Sequence, residues 1–222
     1  AEELGRAFPG TAVVTSAGDA IVSEVAAGPA LVVATPGAEP RASGGYGAAL
    51  LLDTWALLGR QDLRAAEDAL WRWMTAAALV RARGDGGVVT VVAESSIPTV
   101  QSLIRWDPVG HADAELAARA EVGLPPCVHI AALDGTAGAV MALLDQARLP
   151  DDAETLGPVG LPPGVRRPAG SPIDVPVTRM LVRVRREHGL ELAAGLRRGT
   201  GVLSARQAHE PVRVQIDPLH IG

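Results

Sequence analysis

Arginine supplies all the permanent positive charge of this 222-residue chain, because its twenty basic side chains include no Lys. Ten of the Arg lie within residues 163–213, against only four acidic residues, so the formal charge of that segment is +6. The rest of the chain carries a formal charge of −11. A sign reversal over a domain-sized segment can attract polyanions to one part of a surface. The segment therefore predicts either a binding surface for phosphates or carboxylates or a solvated rim of Arg.

The other reactive residue types form no catalytic or metal-binding pattern. Cys127 is the one cysteine, which excludes an internal disulfide and a thiolate zinc site within this chain. The absence of Lys excludes a P-loop lysine and a Schiff base. Cys127 and His129 share one face of a predicted strand, where they indicate a buried thiol beside an ordinary histidine. Trp residues could stack unpaired bases, but Trp73 lies in an apolar helical stripe and is predicted to be in the core.

Short apolar runs around a long amphipathic stretch predict a parallel α/β sheet in the first half of the chain. Runs of about five residues that do not alternate are typical of strands buried on both faces. The amphipathic stretch predicts a helix from Asp62, as its N-cap, to about Arg83. Ligands of such sheets bind at the carboxyl ends of the strands, which here carry Thr35–Pro40 and Asp53 and no typical phosphate-binding loop. The predicted strands are at 11–15, 31–35, 49–53 and 88–93.

The second half of the chain follows a different pattern, β-α-β-β-α-β, which is that of split β-α-β, ferredoxin-like domains. Two short helices, at 99–106 and 111–122, precede it. Its elements are predicted at 128–133, 137–148, 154–159, 179–185, 190–203 and 212–217. These patterns predict three segments with boundaries at 1–97, 98–123 and 124–222.

The sequence predicts neither a membrane span nor a secretion signal. No run of eighteen apolar residues occurs, and the first residues lack the basic and apolar parts of a secretion signal. These features favour a cytoplasmic protein without a membrane span. Residues 1–8 form a helical pattern with no N-cap and no strand before it, which suggests a fragment of a longer protein.

An ordered set of short segments resembles the C-terminal part of the primosomal protein N′ (PriA) family of replication restart proteins. The resemblance covers essentially the whole chain, and the use of Arg in place of Lys is similar to the actinobacterial branch. The segments are Ala1–Leu4 before Phe8-Pro9, Leu51–Asp53, Asp62–Glu67, Leu124–Pro126, Leu156–Val159 and Ile216–Pro218.

The resemblance implies a fold and a function. Residues 1–97 would be most of a second RecA-like helicase lobe, 98–123 linking helices, and 124–222 a small S10-type C-terminal domain. Family members bind forks and single-stranded DNA, contact single-strand-binding protein and other primosome proteins, and help to reload the replicative helicase. They use ATP and zinc, whose sites would lie in an N-terminal region upstream of this chain or be degraded within it. We expect no cofactor or metal in this chain.

Several helicase-motif positions depart from the family pattern. After the second strand, active members of the family have a Thr-Gln-Met stretch followed by Lys-Gly-His. This chain keeps only the first residue of that pattern, as Thr35. The segment 75–82 (TAAALVRA) stands where active members have a motif with two Arg that stabilise the transferred phosphoryl group, and Arg81 and Arg83 are one position off. The degenerate motif positions are Thr35, Asp53, Arg64, Glu67, Arg81 and Arg83. The chain is therefore expected to be a scaffold without motor activity and without catalytic residues.

The family also implies basic contacts near the start of the second helix of the C-terminal domain. The nearest positions are Arg185 and Arg186, although Glu191 would repel an acidic peptide. We expect weak binding of an acidic tail or of single-stranded DNA by Arg183, Arg185, Arg186, Arg197 and Arg198 together. Two alternatives stay open: a regulatory α/β module that binds a small molecule, and a fragment of an active 3′–5′ DNA helicase.

Overall fold

The computed structural model describes residues 2–52, 54–60, 62–205, 210–218 and 220–221. The chain divides into two compact units. The N-terminal unit comprises Ala1–Arg60 and Arg64–Ala112, and the C-terminal unit comprises Gln61–Leu63 and Asp113–Gly222. The predicted boundaries at 1–97, 98–123 and 124–222 stay a prediction.

The N-terminal unit alternates short strands with helices. A 3₁₀ turn, Arg83–Asp85, precedes its last strand. Its helices and strands are α1 (Glu2–Ala7), β1 (Ala12–Ser16), β2 (Glu24–Val25), β3 (Ala30–Ala34), β4 (Arg41–Ala42), β5 (Ala48–Leu51), α2 (Thr54–Leu58), α3 (Ala65–Ala77), β6 (Val88–Val91) and α4 (Pro98–Arg105). Helix α5 (Pro108–Val122) begins in this unit.

All strand pairs in this unit are parallel, as the sequence predicts: β1 with β3, β2 with β4, and β5 with β6. They form three two-stranded sheets instead of one. The prediction that the strands are buried on both faces is wrong. One face of the β5–β6 pair packs against Trp73 and its neighbours in α3, but Leu50 and Val88 on the other face are 64% and 55% exposed. The reason is that helices α3 and α4 pack on the same side of this pair.

Helix α3 is shorter than the pattern predicts at both ends. Its N-cap residue is Arg64, so the expected capping role of Asp62 is wrong. The helix ends at Ala77, and Ala78 and Leu79 form a turn. Tyr46 donates its N–H to the carbonyl oxygen of Leu79 and accepts the N–H of Arg81, both at 2.9 Å. These two bonds form an isolated parallel bridge between Tyr46 and Val80, and this pairing overrides the helical pattern of 78–83.

The C-terminal unit is built on a four-stranded antiparallel sheet with strand order β10-β7-β9-β8. The predicted order of strands and helices is confirmed, with boundaries within a few residues. The remaining elements are β7 (Val128–Gly135), α6 (Ala137–Gln146), β8 (Glu154–Gly160), β9 (Thr178–Arg185), α7 (Gly189–Ala205) and β10 (Arg213–Ile216).

The core of this unit lies between one face of the sheet and the two helices. Leu133 of β7 and Val182 of β9 are completely buried there, together with Leu143 of α6 and Leu192 and Leu196 of α7. The alternation of β9 accounts for this packing, because its even-numbered residues face the helices and its odd-numbered residues face away. Among the described residues, no helix has the length and apolar character needed to cross a membrane.

Candidate functional site

The candidate arginines of the C-terminal unit lie on two different parts of its surface. Arg183 and Arg185 are odd-numbered residues of β9, so they lie on the sheet face that is turned away from the helices. Arg186 follows in a 3₁₀ turn, Arg186–His188. Arg197 and Arg198 belong to α7, which packs on the opposite face. The five side chains therefore do not form one cluster.

Arg183 has several protein partners. Its guanidinium forms an ion pair with Glu154 of β8 and donates to the carbonyl oxygens of Val122 and Gly123 at 3.2 and 3.1 Å. These contacts tie the end of α5 to the sheet. A side chain with this many partners contributes to folding and has little capacity left for an incoming anion.

Arg185 lies among carboxylates. Its Nε is 3.9 Å from Asp152 Oδ2 and its Nη1 is 3.8 Å from Glu187 Oε1. Asp152 also accepts the N–H of Arg185 at 2.9 Å and contacts Nδ1 of His188 at 2.7 Å. The backbone N–H of Arg185 and the His188 ring hold the pKa of Asp152 below its ordinary value. Asp152 therefore stays ionised and reduces the positive potential at the start of α7.

Arg186 donates to the carbonyl oxygen of Pro126 at 3.0 Å and remains exposed. By contrast, Arg197 and Arg198 are exposed and have neither an ion pair nor a hydrogen bond to any residue that the structure describes. Of the five predicted positions, these two are the most available to a phosphate or a carboxylate.

A buried charge cluster, which sequence reasoning missed, stabilises the same sheet. Asp134 lies directly opposite Arg179 in β9 and Arg213 in β10. Arg179 donates from Nε and Nη2 to the two carboxylate oxygens at 2.7 and 3.0 Å, and Arg213 donates from Nη2 to Oδ2 at 2.7 Å. Arg179 also donates to the carbonyl oxygen of His220 at 2.7 Å. The cluster thus joins three strands and the last part of the chain.

Burial of Asp134 opposes its ionisation, but hydrogen bonds and charge from Arg179 and Arg213 outweigh burial and lower the pKa of the carboxyl. Arg179 belongs to the Arg-rich segment that the sequence favoured as solvated or ligand-binding, yet it is only 1% exposed. One signal was available in the sequence. Asp134 directly follows the apolar run 128–133 and is the only acidic residue of strand β7, and apolar strands rarely hold a charge without a partner of opposite charge.

The helicase-motif positions are dispersed in the N-terminal unit. Thr35 follows β3 and donates its N–H to the carbonyl oxygen of Ser16 at 3.1 Å. Arg64 and Glu67 lie at the start of α3. Asp53 lies outside the described residues.

Arg81 and Arg83 lie at the amino-terminal end of the β5–β6 pair. Arg81 donates its N–H to Tyr46, two residues before β5, and Arg83 begins the 3₁₀ turn that leads into β6. A Cβ added to Gly47 would lie 2.9 Å from Nη2 of Arg81, so the guanidinium rests on this part of the backbone. Phosphates bind parallel sheets at the carboxyl ends of the strands. The two arginines lie at the other end of this strand pair.

The loop after β3 does not fit a nucleotide phosphate. Gly37 is in the left-handed region, at φ +91°, and its N–H donates to both carboxylate oxygens of Glu39, at 3.0 and 2.9 Å. The Glu39 carboxylate therefore occupies the Gly37 N–H that a phosphate would need, and its negative charge would repel a phosphate. Zinc does not fit either, because no three His, Cys, Asp or Glu side chains of the described residues converge as a metal site.

Cys127 and His129 do not form a joint site. Cys127 is only partly buried, so the prediction of a buried thiol is wrong, and its Sγ contacts the carbonyl oxygen of Leu116 at 3.7 Å. His129 contacts Asp217 at 2.7 Å through Nδ1. The core position of Trp73 is confirmed, at 3% exposure.

Comparisons with known proteins confirm the family resemblance. Residues 120–219 match the family described as primosomal protein N C-terminal domain. The whole chain is 81% identical, over 229 aligned residues, to the probable replication restart proteins PriA of Mycobacterium tuberculosis H37Rv and Mycobacterium bovis. It is 79% identical to the protein of the same name from Mycobacterium leprae. The chain spans 34–35% of the length of these curated relatives. The chain therefore belongs to the PriA family of replication restart proteins and corresponds to their C-terminal part.

Proposed function

We propose that this chain acts in DNA replication restart, as a helicase-related scaffold that binds stalled forks and single-stranded DNA and helps to reload the replicative helicase in the cytoplasm. The observation that carries this proposal is the 79–81% identity to replication restart proteins over the whole chain. Its partners would be DNA, single-strand-binding protein, other primosome proteins and the N-terminal region that such relatives contain.

We infer the finer fold assignments from strand pairing. The parallel strands and α3 of the N-terminal unit support a RecA-like helicase lobe. In the C-terminal unit, the β-α-β-β-α-β order and the strand order β10-β7-β9-β8, with the helices on one face, support an S10- or ferredoxin-like domain.

Lack of motor activity is supported by the state of the motif positions. In the loop after β3, the Glu39 carboxylate accepts the N–H of Gly37. Arg81 and Arg83 lie at the amino-terminal end of the β5–β6 pair. An arginine that stabilises the transferred phosphoryl group raises the rate by about 10³–10⁵-fold. We therefore expect no DNA-stimulated ATP turnover by the purified chain above a buffer control, and measurable turnover would show that the scaffold proposal is wrong.

DNA binding is expected to depend on charge, with α7 as the main contact. Arg197 and Arg198 have no described partner, whereas Asp152 and Glu187 lie beside Arg185. Each phosphate contact adds about −0.7 to the slope of log K against log salt for single strands. Three to five contacts therefore predict a slope of roughly −2 to −3.5.

The test is a salt titration of a labelled oligothymidylate. The variants are Arg197→Ala/Arg198→Ala, Arg185→Ala/Arg186→Ala and, as a charge-matched control in the other unit, Arg83→Ala/Arg105→Ala. We expect the α7 double variant to lose the most affinity and to flatten the slope by about 1.4, and the control to change neither. Affinity that does not depend on salt, or that none of the variants alters, would mean that these arginines are only a solvated rim.

A further inference from the structure

We propose that the groove between α7 and β10 binds an extended peptide, which adds to the sheet as a strand beside β10. An apolar side chain of the peptide would enter the groove, and an acidic side chain would pair with Arg197. This peptide site goes beyond the proposed DNA contact: the two share Arg197, but the groove and the strand edge do not depend on DNA binding.

The first observation is the position of β10 in the sheet. It pairs with β7 on one side and, among the described residues, has no strand on its other side. An edge strand presents a row of unpaired N–H and C=O groups, which is a template for another extended chain. Several unrelated domains bind peptides in this way. Main-chain hydrogen bonds provide the affinity, and pockets for alternate side chains provide the specificity.

The second observation is an apolar groove next to that edge. It has a volume of about 490 Å³ and lies between one stripe of α7 and the helix-facing side chains of β10. Ile216 is 40% exposed within it. A strand added beside β10 would turn every second side chain toward α7, and so into this groove. The lining includes Leu196, Thr200, Gly201, Ser204, Val214 and Ile216.

The third observation is the charge at the rim. Arg197 lines the groove and is exposed, and it has no ion pair with any described residue. Among the described residues that line the groove, Arg197 is the only charged one. The described lining residues include no aromatic side chain, which is the platform on which proteins stack unpaired bases. The chemistry therefore favours a peptide with apolar and acidic residues over a nucleotide.

Gly201 permits a direct test of the groove. Gly201 lines the groove, and a Cβ at this position meets nothing within 4 Å, so we expect Gly201→Leu to fill part of the groove. Gly138 in α6 also has open space around its Cβ, and Gly138→Leu is therefore a matched control away from the groove. Both changes replace a helical glycine, so both are expected to keep or raise stability.

The probe is a fluorescein-labelled octapeptide, SDSVSVSD, which places two Asp and two Val on one face of an extended strand. We measure its fluorescence anisotropy with the full 222-residue chain, and amide hydrogen exchange at Arg213–Ile216 with and without unlabelled peptide. We expect Gly201→Leu to weaken binding at least about tenfold, an effect of about 1.4 kcal/mol. Gly138→Leu should leave it unchanged. Arg197→Ala should weaken binding of the octapeptide but not binding of its neutral analogue SNSVSVSN. Unlabelled octapeptide should slow amide hydrogen exchange in β10.

Three results would overturn the proposal. One is equal binding to wild type and Gly201→Leu when both melt at the same temperature. Another is binding without slower exchange in β10. The third is that the octapeptide fails to bind, whereas an oligothymidylate binds the wild type and does not bind Gly201→Leu. That result would make the groove a nucleic-acid site. Arg197 belongs to both proposed contacts, and Gly201→Leu separates them because it fills the groove and keeps Arg197 and Arg198, so the peptide site and the DNA contact can each fail alone.

Discussion

Asp134 and Arg179 lie directly opposite each other on β7 and β9, and two hydrogen bonds of 2.7 and 3.0 Å join their side chains in the interior of the C-terminal unit. Their exposures are 0% and 1%. Arg213 approaches the same carboxylate from β10. A lone charge in this position would be strongly unfavourable, but the pair satisfies both groups.

Removal of the carboxylate should therefore be costly. We expect Asp134→Ala to lower the free energy of unfolding by about 3–5 kcal/mol, because it leaves buried Arg179 without its counter-ion. Urea denaturation followed by circular dichroism measures this change. Asp145→Ala on the exposed side of α6 is the control and should change stability by less than about 0.5 kcal/mol. Equal stability of the two variants would show that the cluster does not stabilise the fold.

The same cluster predicts a dependence of stability on pH. The folded pKa of Asp134 lies below its ordinary value, so its contribution is complete above the unfolded pKa of about 3.9 and is lost as pH falls through the folded pKa. The stability difference between wild type and Asp134→Asn should thus be constant near pH 7 and narrow below about pH 4. Urea midpoints of both proteins between pH 7 and pH 2.5 test this, and a constant difference contradicts it.

Two tryptophans of α3 provide a matched pair in the N-terminal unit. Trp73 is 3% exposed and packs against α4, whereas Trp71 is 66% exposed. Trp73→Ala should cost about 3–5 kcal/mol through a lost apolar contact and a cavity. Trp71→Ala should cost less than about 1 kcal/mol. Thermal unfolding monitored by circular dichroism distinguishes them, and similar melting temperatures would show that α3 does not pack as described.

Two glycines of α7 should respond to alanine in opposite ways. A Cβ at Gly195 would lie 2.3 Å from the carbonyl oxygen of Arg148, so Gly195→Ala should push the helix from that backbone and cost about 1–3 kcal/mol. Gly201 has open space, and Gly201→Ala should stabilise the helix by about 0.5–1 kcal/mol. The difference in melting temperature between the two variants is the measurement. A stabilising Gly195→Ala would be the contrary result.

The sequence determined most of the local structure of the C-terminal unit. Strand β10 and most of β9 alternate apolar and polar residues, and the helices lie between clear turns, so local pattern and tertiary packing agree in the described elements of this unit. In the N-terminal unit, parallel pairing was predictable from the apolar runs, but the end of α3 was not. Residues 78–83 keep a helical pattern, and only the pairing of Leu79 and Arg81 with Tyr46 ends the helix.

The family was also predictable from the order of short segments, whereas the roles of the individual arginines depended on tertiary structure. Arg179, Arg185 and Arg197 have the same formal charge and lie in the same basic segment. The fold places Arg179 opposite Asp134, Arg185 beside Asp152, and Arg197 at an apolar groove without a described ion-pair partner. The partners of each arginine come from strands and loops distant in sequence. The sequence therefore established the excess of positive charge in residues 163–213, and the tertiary contacts decided which part of it remains available to a ligand.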